Sequence, residues 1–148
     1  MIIDIMAIGV LFCSAISDLE TRIVSNKYTY CLLVLATAKL AVCAINSLWF
    51  DMCILISGGL VIFISFLITY FILKRGGGAD IKVASSLGLC LGLPNIIFII
   101  LVAFVFAIIY LLYRKKHHQI SIKETIAYLP FLFIGTVFCY GFLGGIPV

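Results

Sequence analysis

Two long uncharged runs constrain this chain more than any other feature. The 22 residues between Asp51 and Lys74, and the 31 residues between Lys82 and Arg114, contain no aspartate, glutamate, lysine or arginine. Over all 148 residues, 65% are hydrophobic and 11% are charged, whereas a soluble domain carries about 25% charged residues. Because about 20 apolar residues form a membrane-crossing helix, we expect an all-α integral membrane protein in which residues 1–148 form a single membrane domain.

The apolar runs predict about six transmembrane helices. One helix over residues 83–113 would be about 46 Å long, which exceeds the thickness of the hydrocarbon core. The same run contains the turn signal LGLPN at residues 91–95, so we expect two helices there, near 81–92 and 95–113. The remaining predicted spans are 1–17, 28–45, 52–73 and 126–142.

The basic residues favour six spans over five. With six spans, nine of the ten lysines and arginines fall on one face, whereas five spans would divide them between two faces. Because lysine and arginine collect on the cytoplasmic side, we expect a multi-pass protein of the inner (cytoplasmic) membrane with both termini outside. Lys39 is the exception, since it lies within the second predicted span. We expect its long side chain to extend outward to the interface.

Two aspartates lie where a predicted span meets the cytoplasmic face. Asp18 ends the first span and Asp80 opens the fourth, and an ionisable group at such a depth is by default a functional hypothesis. A helix cap is the alternative interpretation of Asp80. Asp18 instead lies at a helix C-terminus, where the macrodipole disfavours a carboxylate.

A pair of such carboxyl groups has a specific chemistry. If the first and fourth helices pack side by side, Asp18 and Asp80 share a proton. One then activates water as a base while the other protonates the carbonyl or the leaving amine, which hydrolyses a peptide bond. The glycines at 76–78 carry no side chain, so a substrate backbone can approach Asp80 closely; a flexible loop is the alternative interpretation.

The sequence indicates no cofactor and no metal site. The six cysteines occur singly inside apolar runs without a CxxC pair. His117 and His118 lie in the basic segment RKKHHQ, which we interpret as a solvated loop near lipid headgroups rather than as a metal site. The net charge of +4 follows from the basic loops and does not indicate binding to nucleic acid.

Both aspartates lie in segments that resemble the motifs of type IV prepilin peptidases, which are GxGD-type aspartyl membrane proteases. The segment DLETRIVSN, from Asp18 to Asn26, is similar to the first family motif, an aspartate followed at fixed offset by Ile-Pro-Asn, with Ser25 in place of the proline. The segment GGADIK, residues 77–82, is similar to G-x-G-D-x-K, with Ala79 in place of the second glycine. The segment IAYLPFLFIG near the C-terminus resembles the last span of the family.

The resemblance implies a short, peptidase-only form without the methyltransferase extension and its paired CxxC motifs. It implies that Asp18 and Asp80 are catalytic. It also implies that four further residues support the two motifs: Gly77, Gly78, Lys82 and Asn26. We expect Gly78 to form the turn before Asp80, because Ala79 is poorly suited to a positive φ.

The implied function is an aspartyl endopeptidase that removes the short basic leader from prepilin-like precursors at the cytoplasmic membrane face. Its partners would be the prepilin-like substrate, in a type IV pilus or secretion system, and the lipid bilayer. One alternative is a non-enzymatic multi-spanning protein, such as a transporter subunit, a scaffold or a degenerate family member. A transporter, however, needs polar groups near the midplane. Another alternative is a protease of signal-peptide remnants with the same two-aspartate chemistry, although the segment 18–26 favours the prepilin interpretation.

The predicted topology can be tested by cysteine labelling. In a cysteine-free background, an impermeant thiol reagent added to intact cells is expected to label Asp51→Cys and to miss Ser121→Cys, because only the first position faces outward. Permeabilised cells provide the control, in which both positions become reactive. Labelling of Ser121→Cys in intact cells would contradict the six-span topology.

Overall fold

The computed structural model confirms an all-helical protein and describes residues 2–21, 25–73, 78–117 and 128–144. Its helices are α1 (Ile2–Thr21), α2 (Asn26–Ile45), α3 (Trp49–Leu73), α4 (Gly78–Leu91), α5 (Leu93–His117) and α6 (Leu129–Leu143). By length and composition, four of them contain a segment able to cross a membrane. These segments are Ile2–Thr21, Asn26–Ile45, Trp49–Ile68 and Leu93–Arg114. The fold is therefore that of a membrane protein.

The predicted break inside the longest uncharged run is confirmed. α4 ends at Leu91, Gly92 adopts a φ of 81°, and α5 begins at Leu93. Glycine tolerates a positive φ at a helix C-terminus, and Pro94 is tolerated in the first turn of the next helix. Most predicted boundaries shift by one to four residues; for example, α1 continues to Thr21 and α2 begins at Asn26.

α4 is the central helix of the bundle. It packs on α2 and α3 and also contacts α1 and α5. Seven of its residues are buried: Val83, Ala84, Ser86, Leu87, Gly88, Cys90 and Leu91. With 14 residues, α4 is about 21 Å long, which is shorter than the hydrocarbon core. A short helix is acceptable here because the neighbouring helices, and not lipid, surround most of it.

A glycine contact brings α3 and α4 together. A Cβ atom added to Gly58 would lie 2.7 Å from the carbonyl oxygen of Gly88 and 2.7 Å from the backbone nitrogen of Leu93. Small residues permit this close approach of helix backbones, which supplies packing energy in a membrane where lipid removes the hydrophobic drive for association. The contact fixes the position of α4 against α3.

The outer surface of the bundle is apolar. Large exposed side chains include Phe104 on α5, Phe142 on α6, Val34 on α2 and Ile64 on α3. In water such a surface would be an aggregation hazard, whereas in a bilayer it is the surface that lipid chains cover.

Lys39 does not extend outward, so that expectation is wrong. Its Nζ donates hydrogen bonds to Asp4 Oδ1 at 2.5 Å and to the carbonyl oxygen of Cys90 at 2.8 Å. The ammonium group is retained inside because a carboxylate and a free carbonyl satisfy it there, and a buried charge requires such partners.

The glycine contact predicts a sharp difference between two glycine substitutions. Gly58→Ala would place a methyl group against the backbone of α4 and α5, so we expect it to destabilise the protein by roughly 1–3 kcal/mol. Gly9→Ala is the matched control, since a Cβ atom at Gly9 meets no described atom within 4 Å and alanine is favoured over glycine in a helix by about 0.5–1 kcal/mol.

Thermal unfolding of the two variants in detergent measures this difference. Gly58→Ala is expected to unfold at a lower temperature than the wild type, and Gly9→Ala at an equal or higher temperature. Equal melting temperatures for the two variants would show that the α3–α4 contact is looser than the structure indicates.

Candidate active site

Asp18 lies inside the bundle, at the end of a buried stripe on α1. The stripe consists of Asp4, Ala7, Leu11, Ser14 and Asp18. Its spacings of three and four residues place these side chains on one face of the helix. Only 5% of Asp18 is exposed. The end of the bundle that holds Asp18 is called the Asp18 end below.

A backbone N–H group of α6 donates to Asp18. The Leu129 nitrogen lies 3.4 Å from Asp18 Oδ2, which is a long hydrogen bond. α6 has no side-chain cap of its own, and Pro130 in its first turn has no N–H to donate. Asp18 therefore caps α6 from a different helix, where both the N–H and the helix dipole stabilise its carboxylate form. The sequence argument that Asp18 is unfavourably placed considered only its own helix.

Asp80 lies in the first turn of α4, outside the four spanning segments. Burial, and secondarily the negative charge of Asp18, raise the pKa of Asp80 to about 6. Both effects disfavour the charged form of a carboxyl group. The charge of Asp18 thus acts on Asp80, and the fold brings both predicted aspartates to the Asp18 end.

Tyr128 belongs to the same site and was missed by the sequence analysis. Burial and the nearby Asp80 carboxylate raise the pKa of Tyr128 to about 12. Its ring packs against Phe66 of α3, with 6.1 Å between the ring centroids. The signal that could have identified Tyr128 is its place directly before the Leu129-Pro130 helix start.

Gly78 does not form the expected turn. In the described part of the chain, the glycines with positive φ are Gly92 and Gly144, and Gly78 is the first residue of α4. Ala79 is also helical, a conformation that alanine favours more than any other residue. The departure from the family motif at Ala79 therefore causes no strain. Gly77 lies outside the described residues.

The other two predicted supporting residues lie at the surface. Lys82 is exposed on α4, and Asn26 is exposed as the first residue of α2. The backbone N–H of Lys27 donates to Ser25 Oγ at 3.4 Å, so Ser25 caps α2. The serine that replaces the family proline thus begins the helix by a different local interaction.

The described residues contain no group of three histidine, cysteine, aspartate or glutamate side chains that could hold a metal ion. Residues 114–117 of the basic segment RKKHHQ form the end of α5 rather than the expected loop, and residues 118 and 119 lie outside the described residues.

Comparison with known families identifies the class of this protein. A family model described as the type IV leader peptidase family matches residues 5–112, which are 108 of the 148 residues, and the matched range includes Asp18 and Asp80. The chain belongs to the type IV leader peptidase family, which is a family of proteases. No curated protein and no solved structure matches the chain. Leu129 and Tyr128 lie beyond the matched range.

The electrostatic link between the two aspartates is testable without an activity assay. Carbodiimides modify protonated carboxyl groups, so the labelling of Asp80 in the wild type should fall to half near pH 6. Asp18→Asn removes a negative charge that raises the pKa of Asp80, so the midpoint should shift to lower pH. Burial should keep it above the ordinary aspartate value.

Mass spectrometry of the peptide that contains Asp80 measures the midpoint. Glu20→Gln is the control, because Glu20 is exposed near the end of α1, and it should leave the midpoint unchanged. An unshifted midpoint in Asp18→Asn would mean that the two carboxyl groups do not interact.

Proposed function

We propose that this protein is a membrane-embedded aspartyl endopeptidase that removes a short basic leader from prepilin-like precursors. The observation that carries this proposal is the pair Asp18 and Asp80 at one end of the bundle, in a chain of the type IV leader peptidase family. Two carboxyl groups in different environments can divide the acid and base roles between them.

The environments suggest which aspartate takes which role. Burial disfavours the charged form of Asp18, but Asp18 also accepts the Leu129 N–H, a hydrogen bond that favours its carboxylate. We therefore assign the base role to Asp18. Asp80, with its pKa raised to about 6, retains a proton in a larger fraction of molecules than an ordinary aspartate does, so it acts as the acid.

The reaction then proceeds in two steps, each with two proton transfers, and consumes one water molecule. Asp18 removes a proton from the water, whose oxygen attacks the scissile carbonyl carbon, while Asp80 donates its proton to the carbonyl oxygen. The tetrahedral intermediate collapses as Asp18 passes its proton to the leaving amine. A hydroxyl proton of the intermediate returns to Asp80, which restores both groups.

The proposed topology has six helices that cross the membrane in alternating directions, with the Asp18 end facing the cytosol. The exposed Lys27 and Lys82 belong to that end, as positive-inside placement requires. A precursor whose leader is cytosolic and whose apolar helix is in the bilayer then presents its scissile bond at the depth of the two aspartates.

The start of α4 leaves room for the substrate. A Cβ atom at Gly78 would meet no described atom within 4 Å, and Gly78 lies two residues before Asp80. A substrate backbone can therefore approach the acid from this side. Glu20, which is exposed near the end of α1, is an acidic group of the same end that can face a basic leader.

The proposal predicts that the two aspartates act as one unit. Asp18→Asn and Asp80→Asn should each reduce cleavage of a pilin-like precursor nearly as much as the double variant does, because the loss of either group removes the shared mechanism. The measurement is cleavage by the purified protein in detergent or lipid, with a chelator present. Asparagine keeps the side-chain volume, so the variants should still fold.

Glu20→Gln and Asp51→Asn are the matched controls and should retain most activity. Near wild-type cleavage by Asp18→Asn, or loss of wild-type activity in chelator, would rule out the two-aspartate mechanism. Near wild-type cleavage by Asp18→Asn would indicate that a different group is catalytic or that the protein is not an enzyme. Loss of activity in chelator would indicate a metal-dependent reaction.

A further inference from the structure

A second charged centre lies at the opposite end of the bundle. Asp4 near the start of α1 is 7% exposed, and Lys39 of α2 donates to it at 2.5 Å. The two residues are 35 positions apart in sequence, so the ion pair joins two helices. The proposed reaction uses neither residue.

Lys39 also joins these helices to α4. Its second hydrogen bond, at 2.8 Å, goes to the carbonyl oxygen of Cys90 in the last turn of α4. In a continuous helix that carbonyl would accept from the residue four positions later. That residue is Pro94, which has no N–H. Lys39 therefore donates to a carbonyl oxygen that has no N–H donor four positions later in the chain. Its positive charge is also favourable at a helix C-terminus.

The two charged centres lie on the same face of α1. Asp4 and Asp18 are the first and last members of its buried stripe, 14 positions and about 21 Å apart. Asp4 is bound to α2 through Lys39, and Asp18 accepts from α6. Because a helix is stiff along its axis, the position of one carboxyl group along the bundle determines the position of the other.

Apolar packing alone specifies the axial position of α1 poorly. Between the two aspartates the stripe consists of Ala7, Leu11 and Ser14, and the hydroxyl of Ser14 donates within α1 to Leu11 O. In a bilayer, apolar side chains gain little by exchanging lipid for protein, so polar contacts and close packing decide how helices align. Asp4 and Asp18 each make such a polar contact with another helix.

We propose that Asp4 and Lys39 are positioning residues for the reaction: their ion pair, closed by the Cys90 carbonyl, sets the axial register of α1 within the bundle, and this register holds Asp18 opposite Asp80 and Phe12 opposite Phe133 of α6. The catalytic consequence rests on the proposed function, whereas the register itself is a property of the fold.

The register can be measured by cross-linking. Phe12 of α1 and Phe133 of α6 are in ring contact, with centroids 5.0 Å apart. In a cysteine-free background, the pair Phe12→Cys and Phe133→Cys should form a disulfide readily under mild oxidation. Adding Lys39→Met removes both Lys39 hydrogen bonds and should lower the yield.

Catalysis provides the second measurement, made without the cysteine pair. Lys39→Met should lower kcat for a pilin-like precursor by at least about tenfold, because small misplacements of reacting groups are costly. KM should change by less than about twofold, since the binding surface is at the other end. Lys39→Arg keeps a cation and its donors and should restore both the cross-link and most of kcat.

A double variant distinguishes two explanations for the effect of Lys39→Met: loss of the positioning contact, and destabilisation of the protein by the unpaired Asp4 carboxylate. Asp4→Asn combined with Lys39→Met leaves no charge at this centre, so it should fold even if Lys39→Met alone does not. We expect it still to show the low cross-linking yield and the low kcat. Ser14→Ala is the control on the same stripe, and it should leave both readouts unchanged because its bond lies within α1.

The outcomes are distinct. Wild-type cross-linking and kcat in the double variant would overturn the proposal, and so would a loss of kcat with unchanged cross-linking. If the wild type itself does not cleave the precursor, the proposed function is wrong, and the cross-linking yields alone then support or overturn the register.

Discussion

The structure depends on how an apolar bundle accommodates charged side chains at the ends of helices. Asp18 and the half-buried Lys39 each meet a backbone group at the end of another helix, whereas Asp4 pairs with Lys39 itself. Asp18 accepts from Leu129 next to Pro130, and Lys39 donates to the carbonyl four positions before Pro94. In both cases the helix dipole adds to the hydrogen bond, with an anion at an N-terminus and a cation at a C-terminus.

Asp80 lies in the first turn of a short helix at the centre of the bundle. The contact between Gly58 and Gly88 holds α4 close to α3, and the surrounding helices cover its sides. Asp80 in its first turn can then be partly buried and still be approached past Gly78. A longer helix exposed to lipid would carry its first turn farther toward the headgroups, where water would hydrate the carboxyl group and reduce the effect of burial on its pKa.

The sequence predicted those features that depend on local composition. The uncharged runs predicted helices, LGLPN predicted the break at Gly92, and the placement of Asp18 and Asp80 at helix ends predicted a site. It failed where an interaction joins distant segments. The pairing of Lys39 with Asp4, and of Asp18 with the start of α6, depends on helix packing that no local pattern encodes. The turn expected at Gly78 was wrong because the helix begins there.

The hydrogen bond from α6 to Asp18 and the burial of Asp80 act on the two carboxyl groups in opposite senses, which is the asymmetry that the proposed acid–base mechanism requires. A backbone N–H stabilises negative charge on Asp18, and that charge in turn raises the pKa of Asp80. The start of α6 therefore influences Asp80 through Asp18, although its hydrogen bond is made only to Asp18. In a symmetric pair, the shared proton would be distributed equally between two equivalent carboxyl groups. The cap on α6 favours a charged Asp18, whereas burial disfavours a charged Asp80. Under the proposed mechanism this difference assigns the base role to Asp18 and the acid role to Asp80.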